Sequence, residues 1–268
     1  MQKLLRGKDT DRNYSSKTFS NNIWLNGHGC PLGTIPIKKV KKEDIIRSKL
    51  VSRSHHSGYS PQSKNDPGLH YAKVRTNDIG SQYNGAHMFA SVYNPIVQNS
   101  QASYSRMKIQ KGMDSIEVGW TVNPPLYNDN RTRIYIYTNS AQNKRWNLEI
   151  GDEGIIGWWP DAIFNDLAGM ADYVDWGGQV FTPTNIPSPP MGSGNAKLYE
   201  DTKKDAYCGQ ITILDENSRE QHLKTKAMLD VIQYDVIDEG NVGGPLQHLF
   251  NCKNINMPRP PKDWCPDP

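Results

Sequence analysis

The feature that most constrains this chain is a change of periodicity at His70. From there on, short runs alternate between apolar and polar residues and are separated by turn formers: HYAKVRT, AHMFASVYN, SYSRMKIQKG, DSIEVGWTVN, RTRIYIYTN, KRWNLEIG, ADYVDWGGQVF, YCGQITILDE and VIQYDVIDE. Period-2 alternation sends successive side chains to opposite faces, the signature of strands buried on one side. In RTRIYIYTN, for example, Thr132, Ile134 and Ile136 share one face, and Arg133, Tyr135 and Tyr137 the other. The composition agrees with this reading. Only 36% of the 268 residues are hydrophobic, the aromatic content rests on 13 Tyr and 7 Trp, and 22 Gly and 18 Pro supply turns. Many short strands suit such a chain better than long helices. The expected fold is all-β, an antiparallel sandwich or barrel behind a polar pre-segment. One short helix is expected over residues 160–171, PDAIFNDLAGMA, where Pro160 and Asp161 open the segment and Ile163, Phe164 and Leu167 fall at helical spacing.

Upstream of His70 the pattern is different. Residues 1–20 are polar and are expected to be disordered. Residues 21–40 suggest a short strand and turns, and residues 41–53 one or two helical turns with Ile45, Ile46 and Leu50 on one face. The turn formers of residues 54–69 read as a linker. The net charge is +3, with Lys and Arg concentrated in residues 38–56. No aromatic platform or RNA-binding signature accompanies that basic stretch, so it reads as a solvated, protease-accessible connection and not as a nucleic-acid site. No apolar run approaches the roughly 18 residues of a membrane-spanning helix. The start of the chain, MQKLLRGKDTDRN, has no apolar core of the kind a secretory signal needs. Cys30, Cys208, Cys252 and Cys265 form no C-x-x-C pair and have no His at zinc-finger spacing, so no metal site is expected. Four cysteines allow three disulfide connectivities, and the sequence does not choose among them. Asn13-Tyr14-Ser15 and Asn130-Arg131-Thr132 are glycosylation sequons, meaningful in a secreted chain.

The common nucleophile and phosphate motifs are absent: there is no G-x-S-x-G, H-E-x-x-H, P-loop or G-x-G-x-x-G. A catalytic site would therefore be built from carboxylates, amides and tyrosines. Two acidic positions lie in strand contexts. Glu117, in SIEVGWTVN, shares a face with Ser115 and Gly119, and a glycine beside a carboxylate leaves room for a substrate. In VDWGGQV, Asp175, Gly177 and Gln179 share a face by the same period. On spacing alone, either set equally describes the solvent side of an amphipathic strand.

Three long segments carry a family resemblance: SIEVGWTVNPPLYNDNRTRIYIYT, GIIGWWPDAIFNDLAGMADYVDWGGQV and PMGSGNAKLYE. They resemble the neprosin domain, a plant family of secreted glutamic endopeptidases. Upstream, NNIWLNGHGCPLGTIPIKKVKKEDIIRSK is similar to the end of that family's activation peptide. The resemblance implies the following layout: a disordered N-terminus at 1–20, an activation-peptide remnant at 21–57, a linker at 58–69, a β-sandwich domain at 70–252 and an irregular tail at 253–268. It also implies two stacked antiparallel sheets, with two glutamates on neighbouring central strands facing each other across a peptide cleft. One glutamate would act as general base on the attacking water, and the other would donate to the oxyanion and the leaving amine. Cleavage after proline at acid pH, activation by loss of the N-terminal peptide, a secretory-pathway location and no metal or organic cofactor are further implications. The implied partners are a proline-containing peptide or protein substrate and the chain's own activation peptide, with no nucleic acid and no membrane insertion.

Glu117 matches the family's first catalytic glutamate in its S-I-E-x-G-W context. Gln179 stands where the second is expected in W-G-G-E-V, so its amide would have to serve as the oxyanion donor. Asp175, Gly177, Trp120 and Tyr135 are the further residues expected to line the cleft. The family also carries a long segment with several strands where only residues near 138–145 join two strands here, and its cysteine in the last C-Y-D-type strand is replaced by Gln233. These departures set a second expectation beside the first: a non-catalytic relative, or a truncated gene product, that at most binds extended peptides.

Overall fold

The alternating segments become strands, as their periodicity predicts. In this computed structural model the described residues are 2–6, 42–43, 68–77, 80–139, 146–150, 155–159, 163–193, 206–222, 224–229, 234–241 and 248–254. The strands are β1 (Gln2–Arg6), β2 (Leu69–Thr76), β3 (Gly85–Ala90), β4 (Ala102–Lys111), β5 (Asp114–Val122), β6 (Arg133–Asn139), β7 (Trp146–Ile150) and β8 (Ile155–Trp159). They continue as β9 (Tyr173–Phe181), β10 (Tyr207–Leu214), β11 (Glu220–Gln221), β12 (Thr225–Leu229), β13 (Tyr234–Asn241) and β14 (His248–Asn254). Among the described residues they form two antiparallel sheets. One runs β13-β14-β10-β3-β1-β7-β8 with β11 attached to β10, and the other runs β12-β2-β9-β4-β5-β6. Neither order closes on itself, so the barrel alternative falls away.

Both sheets contribute side chains to one apolar cluster. Val74, Met107, Ile109, Ile116, Val118, Val174 and Trp176 come from the six-stranded sheet, and Ala86, Met88, Trp146, Leu148, Ile211 and Ile213 from the other. Each large side chain so buried contributes roughly 1.5–3 kcal/mol. The indoles bring a polar N–H inside and satisfy it on backbone: Trp176 Nε1 donates to the His87 carbonyl at 3.0 Å, and Trp146 Nε1 to that of Leu167 at 2.9 Å.

Three expectations are corrected. The described part of 160–171 is a loop and not an α-helix, although Phe164 and Leu167 are buried in the core as their spacing suggested. Asn165, Asp166 and Gly169 favour helix weakly, and Asp114 fixes a different arrangement. Its Oδ2 accepts backbone N–H groups of Asn165, Asp166 and Leu167 at 2.6, 2.6 and 3.0 Å. A short helix occurs instead as α1 (Pro124–Tyr127), capped by Asn123, whose side chain accepts the Leu126 N–H at 3.1 Å.

The second correction concerns the N-terminus. Gln2–Arg6 lie inside the segment expected to be disordered, yet they form β1, paired with β3 on one side (Leu4↔Ala86) and β7 on the other (Leu4↔Leu148). The short sequence gives little alternation from which to read a strand. What specifies it is two flanking strand edges whose N–H and C=O groups need partners. The third is β14, which runs to Asn254, past the expected domain limit at 252. Of the region read as pre-segment and linker up to residue 67, the described part beyond β1 is Lys42–Glu43, which is helical. The strand expected at 21–40, the junction at 140–145, Asn13, Cys30, Gln233 and Cys265 lie outside the described residues.

Asp114→Ala removes the acceptor of three N–H groups and should lower stability by about 2–3 kcal/mol, read from denaturant midpoints at unchanged slope. Deleting residues 1–6 should leave two strand edges unpaired, seen as a lower melting temperature together with concentration-dependent association in size-exclusion chromatography.

Candidate active site

β4 is flanked by β5 and β9, and its register aligns three rows of side chains on the face turned away from the shared core. Lys108 stands opposite Glu117 on β5 and Asp175 on β9; Arg106 opposite Gly119 and Gly177; Tyr104 opposite Thr121 and Gln179. β2 extends the rows with Arg75, Lys73 and Tyr71, and β6 brings Tyr135 beside Gly119. Met107, Ile109, Ile116 and Val118, one residue out of phase, go to the core.

The middle row depends on its glycines. A Cβ at Gly119 would lie 1.9 Å from the Ser105 carbonyl oxygen. At Gly177, whose φ is +148°, a Cβ would lie 2.4 Å from the Ala72 carbonyl oxygen. The close strand approach and the backbone conformation both call for glycine. As a result Arg106 has no side chain on either flank of its own row.

The face is buried and heavily charged. Arg106 is 1% exposed, and Asp175 is fully buried. Asp175 Oδ2 accepts hydrogen bonds from Lys73 Nζ and from the Tyr173 hydroxyl, both at 2.8 Å. Arg106 Nη1 lies 2.9 Å from Asp175 Oδ1 and 3.7 Å from Glu117 Oε1, and Lys108 Nζ is 3.6 Å from the same Glu117 oxygen. Burial by itself would raise the Asp175 pKa, but Arg106, Lys73 and Lys108 together hold its carboxyl well below the usual carboxylate range. Burial pulls Lys73 down to about 8 against the opposing pull of Asp175, and it lowers Lys108 against Glu117. For Arg106 burial is outweighed by Asp175 and Glu117, which raise it. Tyr135 is pushed up by burial and then by the Glu117 charge, and its ring meets Tyr104 edge-on at 5.4 Å.

Of the residues singled out in the sequence, Glu117, Asp175, Gly177, Gln179 and Tyr135 share this face. Trp120 does not. By strand parity it falls with Ile116 and Val118, and its Nε1 donates to the Ser91 carbonyl at 2.8 Å. Glu117 and Gln179 are not on neighbouring strands, because β4 separates them. Their rows lie four residues apart, about 13 Å along the strands and about 9.5 Å across. Asp175, not Gln179, is level with Glu117. Asn130 is exposed just after α1, where its sequon is accessible. Cys208 is buried, its Sγ 3.9 Å from Ser105 Oγ.

Arg106, Lys108 and Lys73 were not anticipated, although a signal existed. Lys111-Gly112-Met113-Asp114 is a two-residue hairpin loop, and counting back from it sets Lys108 against Glu117.

Asp175→Asn would leave Lys73 and Arg106 buried without their shared counter-charge and should cost about 3–5 kcal/mol at neutral pH. A carboxyl whose folded pKa is depressed contributes stability that is fully present above about pH 4 and is lost as pH falls from there. The acid limb of stability against pH, measured by urea midpoints from pH 6 to 2, should therefore be steeper in the native chain than in the variant.

Residues 99–144 and 138–250 match the family model described as Neprosin. The two matched stretches meet at residues 138–144, the junction at which the sequence was read as lacking a segment of the family pattern.

Proposed function

The chain belongs to the neprosin family, a membership that implies a peptidase-like role, and from it we propose that the polar face of β2, β9, β4, β5 and β6 is a peptide cleft with Glu117 as its general base. The observation that supports this best is the position of Glu117. It stands in the middle of β5, one strand in from the β6 edge, beside the glycine-flanked Arg106 row and on the same face as Gln179 and Tyr135. In this reading a water delivers its proton to Glu117 as its oxygen attacks the scissile carbonyl carbon. The oxyanion is stabilised by Arg106, since Gln179 is two strands and four residues away from Glu117, and Glu117 returns the proton to the departing amine as the C–N bond breaks. Cleavage after proline, an acid optimum, secretion with glycosylation at Asn130 and control by the pre-segment at 21–57 are the finer parts of this proposal.

A specific observation favours a second reading. Two cations stand within 4 Å of Glu117 Oε1, and the group on Gln179 is an amide. An arrangement of this kind suits holding a peptide better than shuttling two protons, and the chain would then be a peptide-binding member of the family without turnover. Incubating the full chain with a quenched fluorescent peptide containing one proline, across pH 3–7, separates the two. Under the first reading the peptide is cut on the carboxyl side of proline, and Glu117→Gln lowers the rate by at least roughly 10²-fold. A natively folded chain that shows no turnover at any of these pH values leaves the second.

A further inference from the structure

The Arg106 guanidinium is placed to take a ligand. It is 1% exposed, and among the described residues neither Nη1 nor Nη2 has a hydrogen-bond partner. The nearest carboxylate oxygen, Asp175 Oδ1, is 2.9 Å from Nη1 but makes no hydrogen bond to it, and the other oxygen of Asp175 is taken up by Lys73 and Tyr173. Arg106 thus shares Asp175 with Lys73 and Glu117 with Lys108, both through Nη1, and among the described residues no carboxylate meets both of its Nη groups. A guanidinium in a dry environment binds most strongly to an oxyanion that meets both its Nη groups at once. Gly119 and Gly177 leave the positions directly beside Arg106 in its row without side chains, while the Tyr71 ring centroid lies 5.7 Å from the guanidinium carbon.

We infer that this face binds the C-terminal α-carboxylate of a peptide, with Arg106 forking its two oxygens. The inference rests on the reading of the face as a peptide cleft. It adds the chemical class of the group held there. Hydrolysis of a peptide bond turns the reacting carbonyl carbon into just such a carboxylate, beside Glu117. The chain would therefore hold the amino-side product of a cut after proline, or any peptide presenting a free proline carboxyl end, more tightly than the uncut or blocked peptide. With Arg106 buried, entry requires the face to open, so binding is to be measured after full equilibration.

The test uses the full chain and three labelled pentapeptides in fluorescence anisotropy: one ending in a free proline carboxylate, the same peptide as its C-terminal amide, and the amide carrying one internal glutamate. None needs to be hydrolysed to be read, so the outcome is independent of turnover. The free acid should bind about tenfold tighter than the amide, the difference expected from one charge-assisted pair of hydrogen bonds. Arg106→Lys keeps the charge and loses the fork, and it should remove that preference while the melting temperature reports whether the variant folds. Should it fail to fold, formate added to the native chain should compete with the free acid and not with the amide. Equal binding of acid and amide, or no binding of either, overturns the inference. So does an internal-glutamate amide that binds as tightly as the free acid, since the face would then read acidic side chains.

Discussion

The rest of the six-stranded sheet is organised around Asp175. One carboxylate, fully buried, gathers Lys73 from β2, Arg106 from β4 and Tyr173 from its own strand. Burying ions is expensive, and a buried pair seldom improves on well-packed apolar residues in stability. Its effect is on uniqueness. If β2 or β4 slipped by one residue against β9, Lys73 or Arg106 would move to the apolar core and leave Asp175 without a counter-charge. The cluster therefore fixes register across three strands, much as the apolar face does from the other side. The Gly119–Arg106–Gly177 row depends on that register, because both glycines lie where a neighbouring backbone leaves no room for a Cβ.

The two faces of these central strands divide the labour. Met107, Ile109, Ile116, Val118, Val174 and Trp176 meet the other sheet in one apolar cluster, while the alternate residues carry the charges. The other sheet has a different constraint. Its middle is completed by β1, a five-residue strand paired on both sides and brought in from the far end of the chain. A cut within the basic stretch at 38–56 would sever β1 covalently from the domain without breaking either of its ladders. Processing there and removal of the whole N-terminal segment are thus physically different events, and the second also opens two strand edges.

The sequence carried much of this architecture. Period 2 located strands from His70 onward because one face of each had to be buried, and the faces of Glu117, Asp175, Gly177 and Gln179 followed from parity alone. It was less informative where a tertiary partner overrides local preference. The 163–171 segment has helical spacing, but Asp114, some fifty residues earlier, captures its N–H groups. β1 exists because two edges need it, which no local pattern announces. Trp120 is expected in the cleft with the motif that carries Glu117, but the same alternation that places Glu117 puts Trp120 on the opposite face. The basic residues of β4 were legible only through hairpin counting, since Lys and Arg in an alternating strand ordinarily mark a solvated side.

Those basic residues change what the Gln179 position means. Considered alone, a glutamine in place of a second glutamate looks like a single lesion that a reverse substitution would repair. On this face, however, Glu117 and position 179 lie on opposite sides of the Arg106 row, and Glu117 is level with a second carboxylate, Asp175, that is already engaged by two cations. A proton shared between two carboxylates requires that they be close and that neither be tied to a fixed positive charge. A glutamate at 179 would stand two residues along the strands from the Arg106 row, on the side away from Glu117, so the guanidinium row separates the two carboxyls. In the proposed reading, the chemistry open to this face is thus set as much by Arg106 as by the residue at 179.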